Sequence, residues 1–74
     1  MSWMPSRATV EEFKKRYPKG TRVELRWMSD MHAPPIGTKG TVVGVDDCAT
    51  VHVAWDNGSH LGAVYGEDAI AKIE

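Results

Sequence analysis

The sequence predicts a small, mainly β domain headed by one short helix, and three observations carry that expectation. Its 74 residues leave room for one core and no second. Between positions 21 and 65 the apolar residues follow a period of two and not 3.6. The apolar runs are also short, close together and divided by turn chemistry, with no stretch long enough for a helical crossover, so the sheet should be antiparallel.

Taken in order, residues 1–8 read as a leader and 9–74 as a single domain, with the helix at 10–17 and the strands across 21–74. In "ATVEEFKKRYPKG" the pair Thr9 and Glu12 has the spacing of a capping box, and Ala8 and Phe13 that of a hydrophobic staple. Val10, Phe13 and Tyr17 then fall on one narrow apolar stripe that must pack on something else. Pro18 disfavours helix at Tyr17, and Gly20 releases the chain into a strand.

From Thr21 the alternation places Val23, Leu25 and Trp27 on one face and Arg22, Glu24 and Arg26 on the other, as in a half-buried strand. "GTVVGVDD" and "TVHVAWD" read as the next two strands, joined by the turn "DDCA", and "HLGAVY" as a fourth. "EDAIAKIE" reads as a helical turn followed by a closing edge strand. The "WDNGS" hairpin has two candidate registers, and burial of Leu61 in preference to His60 selects the one with Gly58 left-handed in a bulge, Trp55 opposite Ser59 and Leu61 beside Val53. Such strands, with bulges and glycine corners, predict a small curled sheet or barrel of four to five strands, whose closure removes exposed edges.

The stretches "YPKGTRVEL", "APPIGTKGTVVGVDD" and "VHVAWDNGS" resemble a small bacterial and phage family of unknown function. The resemblance runs from about Tyr17 to Asp68 and is most specific from Pro34 to Ser59; it departs at Asp30-Met31-His32, Cys48-Ala49 and Tyr65-Gly66-Glu67. It implies an SH3-like antiparallel barrel, with a fainter likeness to KOW, Tudor and Mib/Herc2 modules. In SH3-like folds the long loop after the first strand commonly forms one wall of a ligand groove. The phage and plasmid setting of the family adds a narrower expectation, a mobile-element accessory that blocks a host or defence protein.

Composition narrows the chemistry. Hydrophobic residues make up 42% and charged residues 26%, the balance of a folded domain and not of a disordered tail. No apolar run approaches the roughly 20 residues of a membrane helix, and "MSWMPSRATVEE" lacks the apolar core of a secretory signal, so the expected location is the cytoplasm. The lone Cys48 has no internal disulfide partner, in keeping with a reducing compartment.

Catalytic and metal chemistry find little footing. Cys48 is flanked by Asp46 and Asp47, which disfavour a thiolate, and so small a barrel offers little concave volume, so no enzymatic activity and no catalytic residue is expected. His52 and His60 fall on one outer face of adjacent strands, yet with His32 and Cys48 they form no closely spaced ligand pair, and no metal or other cofactor is expected. Gly37, Gly40 and Gly44 match no phosphate-cradling spacing and read as a turn, a strand entry and a bend.

Two binding readings remain. The net charge of −1 hides a split of +4 for residues 1–40 and −5 for 41–74. Lys14, Lys15, Lys19, Arg22 and Arg26 would be the contacts of a KOW-like nucleic-acid or ribosome-associated module. Against this, Glu11 and Glu12 in a first turn and Lys14, Lys15 and Arg16 in a last turn are ordinary helix design, with Glu11/Lys15 and Glu12/Arg16 as i, i+4 pairs. The preferred reading is a non-catalytic module that binds a protein partner through Trp27, Met28, Met31, Pro34, Pro35 and Ile36, where the proline pair lowers the entropy lost on binding. The alternative for the loop is that Trp27 and Ile36 fold inward and the prolines only stiffen a long connection; Trp55 and Tyr65 are candidates for a second wall, Trp55 equally for the core. Trp3 and Met4 have no periodic context and are expected either to be disordered or to cover an open barrel end, and weak self-association is expected at that leader or at the last edge strand.

Overall fold

The computed structural model describes residues 5–73. It contains one helix, α1 (Arg7–Arg16), and five strands: β1 (Arg22–Trp27), β2 (Lys39–Val45), β3 (Val51–Trp55), β4 (Gly62–Ala63) and β5 (Ala69–Lys72). The strands form one antiparallel sheet in the order β4-β3-β2-β1-β5, so the last strand returns to lie beside the first. Trp3 and Met4 lie outside the described residues.

The helix begins earlier than the Thr9–Glu12 spacing predicts. Arg7 and Ala8 are strong helix formers, so the helix extends back to Ser6, whose Oγ accepts the Thr9 N–H at 3.1 Å and whose carbonyl accepts the Val10 N–H at 3.0 Å. Glu11 and Glu12 consequently sit inside the helix, and its first turn holds no acid. The basic last turn, Lys14 to Arg16, is as expected, and Tyr17 ends the helix with its N–H on the Phe13 carbonyl. Val10 and Tyr17 are buried and Phe13 packs against the core, so the apolar stripe does what its spacing requires.

The core gathers Val23 and Leu25 from β1, Val42 from β2, Val51, Val53 and Trp55 from β3, and Ala63 from β4, together with Tyr17 and Met28. Trp27 departs from the strict alternation of β1. A bulge between Leu25 and Trp27 shifts the register against β5, after which Arg26 and Trp27 both face solvent and Met28 takes the inward place. A second bulge, between Val42 and Gly44 in β2, leaves Val43 outside the pairing and 52% exposed.

The "WDNGS" hairpin adopts the bulged register. Gly58 has φ +96, its N–H meets the Trp55 carbonyl at 2.9 Å, and the Trp55 N–H meets the Ser59 carbonyl at 2.8 Å. Leu61 packs on the core while His60 stays exposed. Trp55 is core, its ring N–H donating to the Leu61 carbonyl at 2.9 Å across the hairpin.

One device occurs twice. Pro18-Lys19-Gly20-Thr21 and Pro35-Ile36-Gly37-Thr38 each form a turn closed by the threonine N–H on the proline carbonyl at 3.0 Å, reinforced by the threonine hydroxyl at 2.7 and 2.6 Å. In each the glycine has φ near +97, which a side chain would strain, and begins a bulge opposite one residue of the neighbouring strand, Val42 or Leu25. The two turns deliver the chain into β1 and β2 respectively.

Candidate functional site

The connection from β1 to β2 is a loop held at several points and not a free tether. Met28 is buried at its start. The Ser29 N–H then donates to Asp68 Oδ1 at 3.3 Å, while Asp68 Oδ2 accepts the Val64 N–H at 2.8 Å, so one carboxylate ties this loop to the turn before β5. Asp30 makes a tight turn: its carbonyl accepts the Ala33 N–H at 3.0 Å and its Oδ1 the His32 N–H at 2.7 Å. Pro34 is buried, and the Pro35–Thr38 turn closes the loop with the Gly37 N–H on the Leu25 carbonyl at 2.8 Å.

Between these anchors three large apolar side chains point outward: Trp27 at 55% exposure, Met31 at 90% and Ile36 at 64%. Trp27 lies two residues after Leu25, and Ile36 immediately before the glycine bonded to Leu25, so the loop's two ends bring both to one end of β1. Met31 occupies the intervening turn. Pro35 is exposed beside them.

Of the six loop residues predicted from sequence, two are therefore corrected. Met28 and Pro34 are buried, Met28 because the β1 bulge advances the inward phase from residue 27 to residue 28. Tyr65 is 38% exposed and packs edge-on against Phe13, with ring centroids 5.4 Å apart. It borders a hollow of about 180 Å³ lined by Phe13, Tyr17, Ala63, Ala69 and Ile70. Sequence reasoning missed Asp68, whose only sequence signal was an acid set between a turn glycine and an apolar run.

The basic residues are interleaved with acids. Arg22 makes a two-pronged bridge to Asp56 at 2.9 and 2.8 Å and donates to Thr41 Oγ1, while Lys14 pairs with Asp47, Arg16 with Glu12 and Arg26 with Glu24. The Arg22 guanidinium holds the Asp56 carboxyl below its ordinary value. Lys15 and Lys19 are exposed on either side of the helix end.

The "DDCA" turn is organised by Asp46. Its Oδ1 accepts the Cys48 and Thr50 N–H groups at 2.9 and 3.0 Å, and its Oδ2 accepts from His52 Nε2 at 2.9 Å. Burial works to raise this carboxyl, but the His52 ring and the two backbone N–H groups outweigh it and hold it below its ordinary value. The turn also keeps Ala49, fully buried, at φ 58. His52 and His60 share the outer face, as the register requires, but His52 is engaged by Asp46. Among the described residues no group of three or more His, Cys, Asp or Glu lies close enough to hold a metal.

The profile of a domain of unknown function, DUF4314, matches residues 6–73, from the helix cap to the residue after β5. The chain belongs to the DUF4314 family. No curated protein and no solved structure matches it. The matched span includes the loop, both Pro-x-Gly-Thr turns and the Asp68 tie. Among the described residues no helix is long and apolar enough to cross a membrane.

Proposed function

We propose that this DUF4314 domain is a non-catalytic interaction module that binds a protein partner through the loop between β1 and β2. The observation that carries the reading is the outward display of Trp27, Met31 and Ile36 on a loop whose backbone is already fixed by Met28, Pro34 and Asp68. Exposed apolar side chains on a free loop would collapse inward or pay ordering entropy on binding. Here the ordering is already supplied by the fold.

The module is of the SH3-like kind and of bacterial or phage origin in this reading. The return of β5 beside β1 and the long loop after the first strand support the SH3-like part. A protein target suits this surface, since Trp and Met are favoured where surfaces must adapt to a partner.

The test is capture of partners from native cell extract by the tagged chain, with and without nuclease, read by mass spectrometry. The expected result is a protein partner that survives nuclease and is lost with Trp27→Ala combined with Met31→Asp. Loss of every partner after nuclease, with Lys15→Glu and Lys19→Glu abolishing capture, would replace this reading with the nucleic-acid one. Retention of the same partner by a folded Trp27→Ala/Met31→Asp variant would remove the loop from the site.

A further inference from the structure

Among the described residues the sheet has two free edges, and they are not equivalent. β4 has only two residues, which blunts its edge, whereas β5 runs from Ala69 to Lys72 with β1 on one side alone. The Ile73 N–H bonds to the Arg22 carbonyl at 3.1 Å, which makes Arg22 and Ile73 a hydrogen-bonded pair. Alternation along an antiparallel ladder then makes Glu24 and Ala71 the next such pair, and leaves the backbone groups of Ile70 and Lys72 pointing to the open side.

The outer face of β5 carries no charge. Ile70 shares the inward face of its partner Leu25 and packs on the core, so Ala69, Ala71 and Ile73 face outward, with Trp27 standing beside Ala69. The charges lie at the two ends of the strand and are of opposite sign: Asp68 before it and Lys72 at its close, with Lys72 in no ion pair among the described residues.

We infer that β5 is a self-pairing edge, and that its occupant is β5 of a second copy of this chain, antiparallel and centred on Ile70. In that register Ile70 faces the partner's Ile70 and the two exchange reciprocal backbone hydrogen bonds. Ala69 lies against the partner's Ala71. Lys72 faces the partner's Asp68, so its N–H reaches the carbonyl and its ammonium the carboxylate, and the same contact repeats across the two-fold axis. The Asp68 N–H takes no part, because it already donates to the Val64 carbonyl.

The neighbouring register, centred on Ala71, places Lys72 opposite the partner's Ile70 and leaves its charge unanswered. An edge lysine ordinarily discourages pairing, and Asp68 is what reverses that effect for this one partner. The small alanines keep the seam open, so the Trp27 indole lies across Ala69 toward the partner's Ala71. The contact is short, so the dimer is weak and fills at high protein concentration. This inference does not depend on the loop reading.

The experiment is sedimentation velocity of the full chain from micromolar to millimolar concentration, paired with amide exchange. A monomer–dimer equilibrium is expected, in which the Ile70 and Lys72 amides gain protection with concentration while those of Ala71 and Ile73 are protected throughout. Lys72→Pro removes an N–H that faces the open edge and breaks no hydrogen bond among the described residues, so the monomer keeps its melting temperature and dimerisation falls at least tenfold. Lys72→Glu, which leaves the backbone intact, weakens the dimer by a similar factor at low salt. A chain that stays monomeric at millimolar concentration, or a dimer undiminished in both variants, overturns the proposal.

Discussion

Replacing Gly40 by alanine tests the packing of the sheet most directly. Gly40 pairs with Trp55 across β2 and β3, and a Cβ added there would stand 2.6 Å from Val53 Cγ1, 2.8 Å from Trp55 Cε3 and 3.0 Å from the Ala54 carbonyl oxygen. None of these neighbours is free to yield. Val53 and Trp55 are 1% and 3% exposed, and the Ala54 oxygen is backbone. Overpacking of this kind costs about 1–3 kcal/mol, less the roughly 0.5–1 kcal/mol that alanine gains by restricting the unfolded chain. With three rigid neighbours a net loss of about 2 kcal/mol is expected, which in a domain of this size lowers Tm by about 8–16 °C. Gly44, on the same strand, is the internal control: nothing lies within 4 Å of its added Cβ and its φ is not positive. Gly44→Ala should therefore be neutral or stabilising, by up to about 1 kcal/mol. Thermal melts and urea titrations of the two variants decide the matter. If Gly40→Ala melts within 2 °C of the parent, or if both variants lose stability equally, the account of Trp55 closing over Gly40 is wrong.

The loop should separate cleanly into anchors and display. Trp27→Ala and Met31→Asp are expected to leave stability within about 0.5 kcal/mol, while Met28→Ala costs about 2–5 kcal/mol by urea denaturation, because only Met28 is in the core. Trp55→Phe deletes the bond to the Leu61 carbonyl and should cost about 1–3 kcal/mol, with faster amide exchange at the β3–β4 hairpin as its local signature. Acid should destabilise the fold through Asp46 and Asp56, whose carboxyls sit below their ordinary value of 3.8 when folded. The unfolded chain therefore binds protons first, and the stability these groups confer is complete above that value and lost as pH falls through the lower folded ones. Asp46→Asn should flatten the acid limb of a stability–pH curve, and an unchanged limb would exclude Asp46 from it.

Much of this architecture was legible in the sequence because it rests on local chemistry. Period-two runs identified the strands, Pro18 and Gly20 ended the helix, and burial of Leu61 over His60 chose the hairpin register, since a one-residue slip would exchange every inward and outward side chain. The helix start was misread because two capping signals three residues apart compete, and local spacing does not weigh the helix propensity of Arg7 and Ala8 against the box at Thr9.

Only the tertiary structure decided what alternation cannot encode. The bulge at Arg26 arises from pairing with β5, more than forty residues away in the chain, and it alone turns Trp27 outward and Met28 inward. The tie from Asp68 to Ser29 likewise joins segments that no local pattern relates, and it determines how firmly the loop is held. The sequence by itself determined which segments are strands, where they turn and which residues form the apolar loop. Which of those loop residues face solvent, and which edge of the sheet stays open, was decided by strand pairing across the whole chain, because register between distant strands is a property of the assembled sheet.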